Sequence, residues 1–263
     1  MSAFTLSAIA NRLIRFAGLC LSALLLLGSP ASTKAQTDYA IADALADSTR
    51  DVNHLLRDDA RRPAEVIQFL GLTPGMRVLD LYAADGYYTY LLSRLVGDSG
   101  QVYAQNPPAG SNVEDIRQMY SLADALDERI ELADLTNVTH LRESFFELSI
   151  APASLDLIML VQILHDFYNT DPDYAAALLA QLLTYLKPDG LVAIIDHAGD
   201  AGQDNARLHR MSRQQALDLA ARLNLRVVGD SDLLANPRDR RRRPVFDPML
   251  GRNTDRFLLK LQK

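Results

Sequence analysis

A chain of 263 residues with 33 acidic against 27 basic side chains carries a net charge of −6, which argues against nucleic acid or an anionic membrane surface as a partner. Its one cysteine, Cys20, excludes an intrachain disulfide, so the fold has to rest on its hydrophobic core. The length suits one α/β domain.

Between Met1 and Ala35 lie three basic residues, Arg12, Arg15 and Lys34, and no acidic one. Phe16 to Leu27 is a nearly unbroken apolar run, shorter than the roughly twenty residues a membrane span needs. Gly28-Ser-Pro30 and Thr33-Lys34-Ala35 then supply the small residues that a signal peptidase accepts. We read residues 1–35 as a secretory signal cut after Ala35, with an uncleaved anchor or an ordinary buried helix as alternatives. Leu19 is too bulky for the position before a lipidated cysteine. Cleavage takes three of the 27 basic residues and leaves 24 against 33 acidic, a net charge of −9, with no stable membrane span. A signal without disulfides points to a periplasmic or secreted location.

Residues 36–70 read as an N-terminal helical leader. In Arg50, Arg57, Asp58, Asp59, Arg61 and Arg62 it carries either a solvated helix face or a lid whose arginines meet an anionic group. Residues 71–263 read as one domain. Gly71-Leu-Thr-Pro-Gly75 turns into a short strand, Val78 to Leu81. Tyr82 to Gly86 is a tight turn of mostly small residues, and Tyr87 to Leu95 a helix. Gln101 to Gln105 is a second strand, completing a βαβ unit. Val113 to Ala125 has helical periodicity, Arg129 to Ala133 reads as a third strand ending at Asp134, and Asn137-Val-Thr139 carries no weight as a sequon.

The apolar run Leu157 to Leu164 marks a strand buried on both faces, ending at His165-Asp166. Asp173 to Leu186 is a helix, stopped by Lys187-Pro-Asp-Gly190. Leu191 to Ile195 is the next strand, ending at Asp196-His197. Ser212 caps a helix running to about Leu223. Leu225 to Val228 and Arg256 to Leu261 close the chain as an antiparallel pair. The basic run Arg238 to Arg243 reads as a solvated loop or a clamp for an acidic substrate. The sum is a doubly wound, mostly parallel seven-stranded α/β sheet with an antiparallel closing strand.

In such a sheet the ligand sits outside the carboxyl ends of the strands, which directs attention to Asp80 to Gly86, Gln105-Asn106, Asp134-Leu135, Gln162 to Asp166 and Asp196-His197. His165-Asp166 and Asp196-His197, with His209 nearby, form a set open to three readings: substrate positioning and general base, metal ligation, or structural hydrogen bonding. No nucleophile elbow or phosphate loop is present, and no metal site is assigned.

With Asp80 as anchor, Asp80-Leu-Tyr-Ala-Ala-Asp-Gly86 resembles the first motif of class I S-adenosylmethionine-dependent methyltransferases, an acid followed by alternating glycines. Only Gly86 of the three glycine positions is glycine, the others being Tyr82 and Ala84. Leu186-Lys-Pro-Asp-Gly190 resembles the turn before that family's fifth strand. Arg62-Pro-Ala-Glu65, Gly86-Tyr-Tyr-Thr89, Val102-Tyr-Ala-Gln-Asn106, Leu164-His-Asp166, Ile195-Asp-His197, Leu208-His-Arg210 and Thr254-Asp-Arg-Phe257 together resemble a signal-peptide-bearing methyltransferase group.

The resemblance implies a Rossmann-like methyltransferase fold with S-adenosyl-L-methionine as cofactor. Asp80, Tyr82, Ala83, Ala84, Asp85 and Gly86 would meet its methionine part, Gln105 and Asn106 its ribose, and Asp134 and Leu135 its adenine, with Gln162 also binding the cofactor. His165, Asp166 and His197 would be catalytic. Tyr88, Asp196, His209 and Arg210 would face a small-molecule substrate. Two departures stand out: neutral amides where the second strand usually ends in an acid, and the Tyr82 ring in the loop. A non-catalytic ligand-binding protein on a degenerate version of this fold, and a metal-dependent hydrolase using His165 and His197, are the rival readings.

Overall fold

The computed structural model describes residues 30–108 and 124–263. The expected signal segment up to residue 29, Cys20 within it, and most of the expected helix Val113–Ala125 lie outside the described residues. Helices α1 (Pro30–Ala46), α2 (Val52–Leu55), α3 (Asp58–Arg61) and α4 (Pro63–Leu70) precede β1 (Arg77–Leu81), α5 (Tyr87–Val96) and β2 (Gln101–Asn106). A helix described over 124–132, α6, leads to β3 (Val138–Arg142), then β4 (Leu155–Val161), α7 (Leu164–Thr170), α8 (Pro172–Tyr185) and β5 (Leu186–His197). The chain closes with α9 (Asn205–Leu208), α10 (Arg213–Arg222), β6 (Arg226–Ser231) and β7 (Arg256–Gln262).

The strands form one seven-stranded sheet in the order β3-β2-β1-β4-β5-β7-β6. The first five run parallel, while β7 is antiparallel to both β5 and β6. Successive strand residues face opposite layers, and both faces are apolar. Leu79, Leu81, Ile158, Leu160, Val192 and Ile194 pack under α8 and α10. Val78, Leu157, Met159, Ala193 and Ile195 pack under α1, α4 and α5. Each fully buried leucine or isoleucine contributes about 1.5–3 kcal/mol.

Three boundaries differ from the sequence expectation. Arg129 to Ala133 is not a strand: 129–132 is the end of α6 and Ala133 lies in the turn after it. Leu126, Ile130 and Ala133, four and three residues apart, turn inward at helical period, which a five-residue window of alternating polarity misses. The third strand is instead Val138–Arg142, an edge strand with one buried position, so little in it signals a strand. At β4, Gln162 takes φ 58° and ends the strand, and Leu164 and His165 belong to the first turn of α7. The turn expected at Lys187-Pro-Asp-Gly190 survives as an outward bulge, because Leu155 pairs with Leu186 and Leu157 with Leu191.

Candidate active site

Asp80, the next-to-last residue of β1, is 3% exposed, and its carboxylate accepts a 2.7 Å hydrogen bond from Thr89 Oγ1 in the first turn of α5. Burial pushes this carboxyl up to about 6, although the Thr89 bond and the nearby Arg61 charge favour ionisation. The loop that follows places Tyr82 at φ 55°, Ala84 at φ 52° and Gly86 at φ 80°. All three alternating positions are thus left-handed, two of them without glycine. A left-handed non-glycine residue costs roughly 1–2 kcal/mol, so the surrounding contacts have to impose the conformation.

Those contacts come from the end of β2. Gln105 Oε1 accepts from the Tyr82 N–H at 3.2 Å and Gln105 O from the Ala83 N–H at 2.8 Å. Asn106 Oδ1 accepts from the Ala84 N–H at 2.9 Å, and its Nδ2 donates to Ala84 O at 3.2 Å. Gln105 Nε2 donates to Glu143 O at 2.7 Å. Both amide side chains are fully buried. They brace the loop from behind, which is why neutral amides rather than an acid suit the end of this strand.

Asp85 fastens the loop to the helices above it. Its carboxylate lies 2.5 Å from Arg57 Nη2 and 3.6 Å from His54 Nε2, and Arg129 Nη1 donates to its carbonyl at 2.6 Å. Burial alone would raise the Asp85 carboxyl; the Arg57 hydrogen bond and charge, with His54 nearby, hold it well below the usual range. Arg61 lies over the Tyr87 and Tyr88 rings, 4.5 and 5.7 Å from their centroids. The N-terminal segment therefore lies against the loop after β1 and the start of α5. Arg50 serves within it, pairing with Asp58 at 2.7 Å.

The ends of β4 and β5 meet through Asp196, a fully buried carboxylate. It accepts from the His165 N–H at 2.9 Å, from His165 Nδ1 at 2.7 Å and from the His197 N–H at 2.7 Å. His165 Nε2 is 3.1 Å from Asp166 Oδ1, which also meets His209 Nδ1 at 3.2 Å. Burial opposes a charge on His165, but Asp196 and Asp166 outweigh it and raise the imidazole to about 10. His197 moves the opposite way: burial and then the positive His165, Arg256, Arg210 and Arg61 push it well below its ordinary value. Its Nδ1 is 2.6 Å from Thr254 Oγ1. Of the two histidines considered as a base, His197 is the neutral one near pH 7.

Several expected positions fall elsewhere. Asp134 and Leu135 lie in the turn before β3, at the amino end of the sheet, so they are removed from the crevice. That follows from the misplaced third strand; at the carboxyl end of β3 stand Arg142 and Glu143 instead. Arg210 is fully buried and spends its guanidinium on Ala198 O, Arg243 O and Asp239, which leaves none of it for a substrate. Asp196 likewise faces protein donors. Gln162 lies beside Arg61, at 3.4 Å. Tyr88 is 3% exposed and forms the floor under Arg61. In the basic loop, Arg241 pairs with Asp200 and Asp255 and Arg243 with Asp247, so acids of the chain itself hold it.

Arg256 was not singled out from the sequence as a site residue. It opens β7, directly opposite His197 in the antiparallel register, and is 3% exposed. Burial and the neighbouring Arg61 lower it to about 10. Neither Arg256 nor Arg61 has a carboxylate ion pair among the described residues. The antiparallel pairing of the last strand with β5 was the signal that could have found it.

The architecture matches solved structures over most of the chain. A methyltransferase from Aquifex aeolicus that depends on S-adenosylmethionine superposes with a TM-score of 0.59 at 19% identity, covering 86% of this chain and 97% of that one. The fold is that of the S-adenosylmethionine-dependent methyltransferases. The 1,6-didemethyltoxoflavin-N1-methyltransferase of Burkholderia thailandensis, solved with its substrate and S-adenosylhomocysteine, gives 0.50 at 21% identity over 90% of this chain and 91% of that one. The [4+2]-cyclase SpnF gives 0.57 at 13% identity over 88% and 95%. The protein-L-isoaspartate(D-aspartate) O-methyltransferase family matches residues 59–142, less than half of the 263 residues. That stretch runs from the N-terminal segment through β3 and includes the whole left-handed loop. No curated protein sequence matches the chain.

Proposed function

We propose that this protein is a methyltransferase that uses S-adenosyl-L-methionine on a small molecule. The observation that carries the reading is the loop after β1, where Tyr82, Ala84 and Gly86 keep alternating left-handed torsions although two glycines are missing. Strained backbone of this kind persists where surrounding structure imposes it, most often at ligand sites. Here fully buried Gln105 and Asn106 impose it. The first turn of α5 has no side-chain cap and opens onto the same crevice. Arg61 lies near enough to Asp80 to favour its ionised form, so the pair offers a cation for the carboxylate of an amino-acid moiety and a carboxyl for its amine.

The sulfonium of the donor is already activated, so this chain mainly has to align the acceptor with it and exclude water. His197 takes a proton from the acceptor where the acceptor carries one, with Thr254 fixing its Nδ1 and leaving Nε2 for the task. His165, gripped between Asp196 and Asp166, positions the end of β5 rather than acting as base.

Calorimetric titration of the chain with S-adenosylmethionine and with S-adenosylhomocysteine tests this reading. Saturable binding of both is expected, weakened tenfold to a hundredfold in Arg61→Ala for loss of one charge-assisted contact, about 1.5–3 kcal/mol. Heat signals absent with both ligands would overturn it. They would favour a binding protein, or an enzyme of different chemistry on the same scaffold, a use of this fold that the [4+2]-cyclase illustrates. The signal-like start of the sequence supports a periplasmic or secreted location, and the donor would then have to be supplied outside the cytoplasm.

A further inference from the structure

His165, Asp166 and His209 bring three ligand atoms, Nε2, Oδ1 and Nδ1, within 4.8 Å of one another beside the crevice. Two of the edges, His165 Nε2 to Asp166 Oδ1 and Asp166 Oδ1 to His209 Nδ1, measure 3.1 and 3.2 Å. An ion bound tetrahedrally at about 2.0–2.1 Å sets its ligands roughly 3.3 Å apart, so these edges are at the required separation. We propose that His165, Asp166 and His209 bind a divalent transition-metal ion of the zinc class.

The second layer around His165 has the form such a ligand needs. Its Nδ1 is 2.7 Å from the fully buried Asp196 carboxylate, which orients the ring and directs Nε2 toward the cluster. Asp196 is anchored in turn by the N–H groups of His165 and His197, so the orienting carboxylate is itself fixed. His209 reaches the cluster because φ 51° turns the chain after α9, and its ring stands edge-on to Phe246 at 5.0 Å. Two imidazoles and one carboxylate select zinc, cobalt, iron or manganese over magnesium or calcium, which prefer all-oxygen sites. Three protein ligands leave at least one coordination position for water or a substrate oxygen. The Asp166 and His209 side chains are 48% and 36% exposed, so that position is reachable from solvent. The inference does not depend on methyl transfer, and metal binding displaces the proton that His165 Nε2 otherwise shares with Asp166.

The experiment uses chain carrying no polyhistidine tag, stripped with a chelator and titrated calorimetrically with Zn2+, with Co2+ as an optical probe and Mg2+ as comparison. One Zn2+ per chain, a visible Co2+ spectrum of low coordination number and no Mg2+ binding are expected. Asp166→Asn and His209→Asn, the latter tolerant of the left-handed backbone, should each lower Zn2+ affinity at least tenfold in metal-free protein that still unfolds cooperatively. Absence of stoichiometric Zn2+ binding, or variants that bind as the parent does, would overturn the proposal.

Discussion

Asp80 is a buried carboxyl kept at the expense of stability. Its carboxyl is raised to about 6 by burial, so its contribution to folding is fully present below the unfolded value, near 3.8, and is lost as pH rises through about 6. Asp80→Asn stays neutral and still accepts from Thr89. The variant should match the parent near pH 4 and exceed it by pH 7, by on the order of 3 kcal/mol for a shift of this size. Urea unfolding at the two pH values measures the difference; equal stability at pH 7 would show that the carboxylate is already compensated in place. Asp80 and the two amides at Gln105 and Asn106 were visible in the sequence as strand-end polar residues. What the letters concealed is direction: a glutamine aimed at a ligand and one aimed at the adjoining loop read the same.

At the scale of elements, the alternation of fully apolar strands with helices made β1, β4, β5 and most of the helices legible, because each strand buries both faces. The exposed edge strand β3 was not legible, since Val-Thr-His-Leu-Arg has no burial pattern of its own. Misplacing it carried Asp134 and Leu135 to the wrong end of the sheet. The contacts of the N-terminal segment were not legible, because charged short helices look alike whether they meet water or a partner. Its attachment to the loop runs through Asp85, whose side chain is 10% exposed and faces Arg57 at 2.5 Å and Arg129 at 3.8 Å. Asp85→Asn should lower the urea midpoint by the equivalent of about 3 kcal/mol, the cost of leaving a largely buried partner charge uncompensated. The same variant should speed exchange of backbone amides in α2 and α3. An unchanged midpoint would mean that apolar contacts hold the segment instead.

For the molecule as a whole, the seven-stranded, doubly wound architecture and its antiparallel close were legible in the sequence, whereas address and ligand do not follow from the fold. If the first 35 residues direct export, full-length chain carrying a C-terminal tag should fractionate with periplasmic markers, shortened at its start, and replacing Arg12 and Arg15 by Glu should retain it in the cytoplasm. Recovery of unshortened protein with cytoplasmic markers would remove that proposal. One consequence lies in the position of β7, which is late in the chain yet sits between β5 and β6 and places Arg256 opposite His197. A chain still short of this strand lacks the guanidinium, the Thr254 hydroxyl that meets His197 Nδ1 and the strand that pairs with β5. Until residues 256–262 are in place, β5 has no antiparallel neighbour and β6 has no strand to pair with.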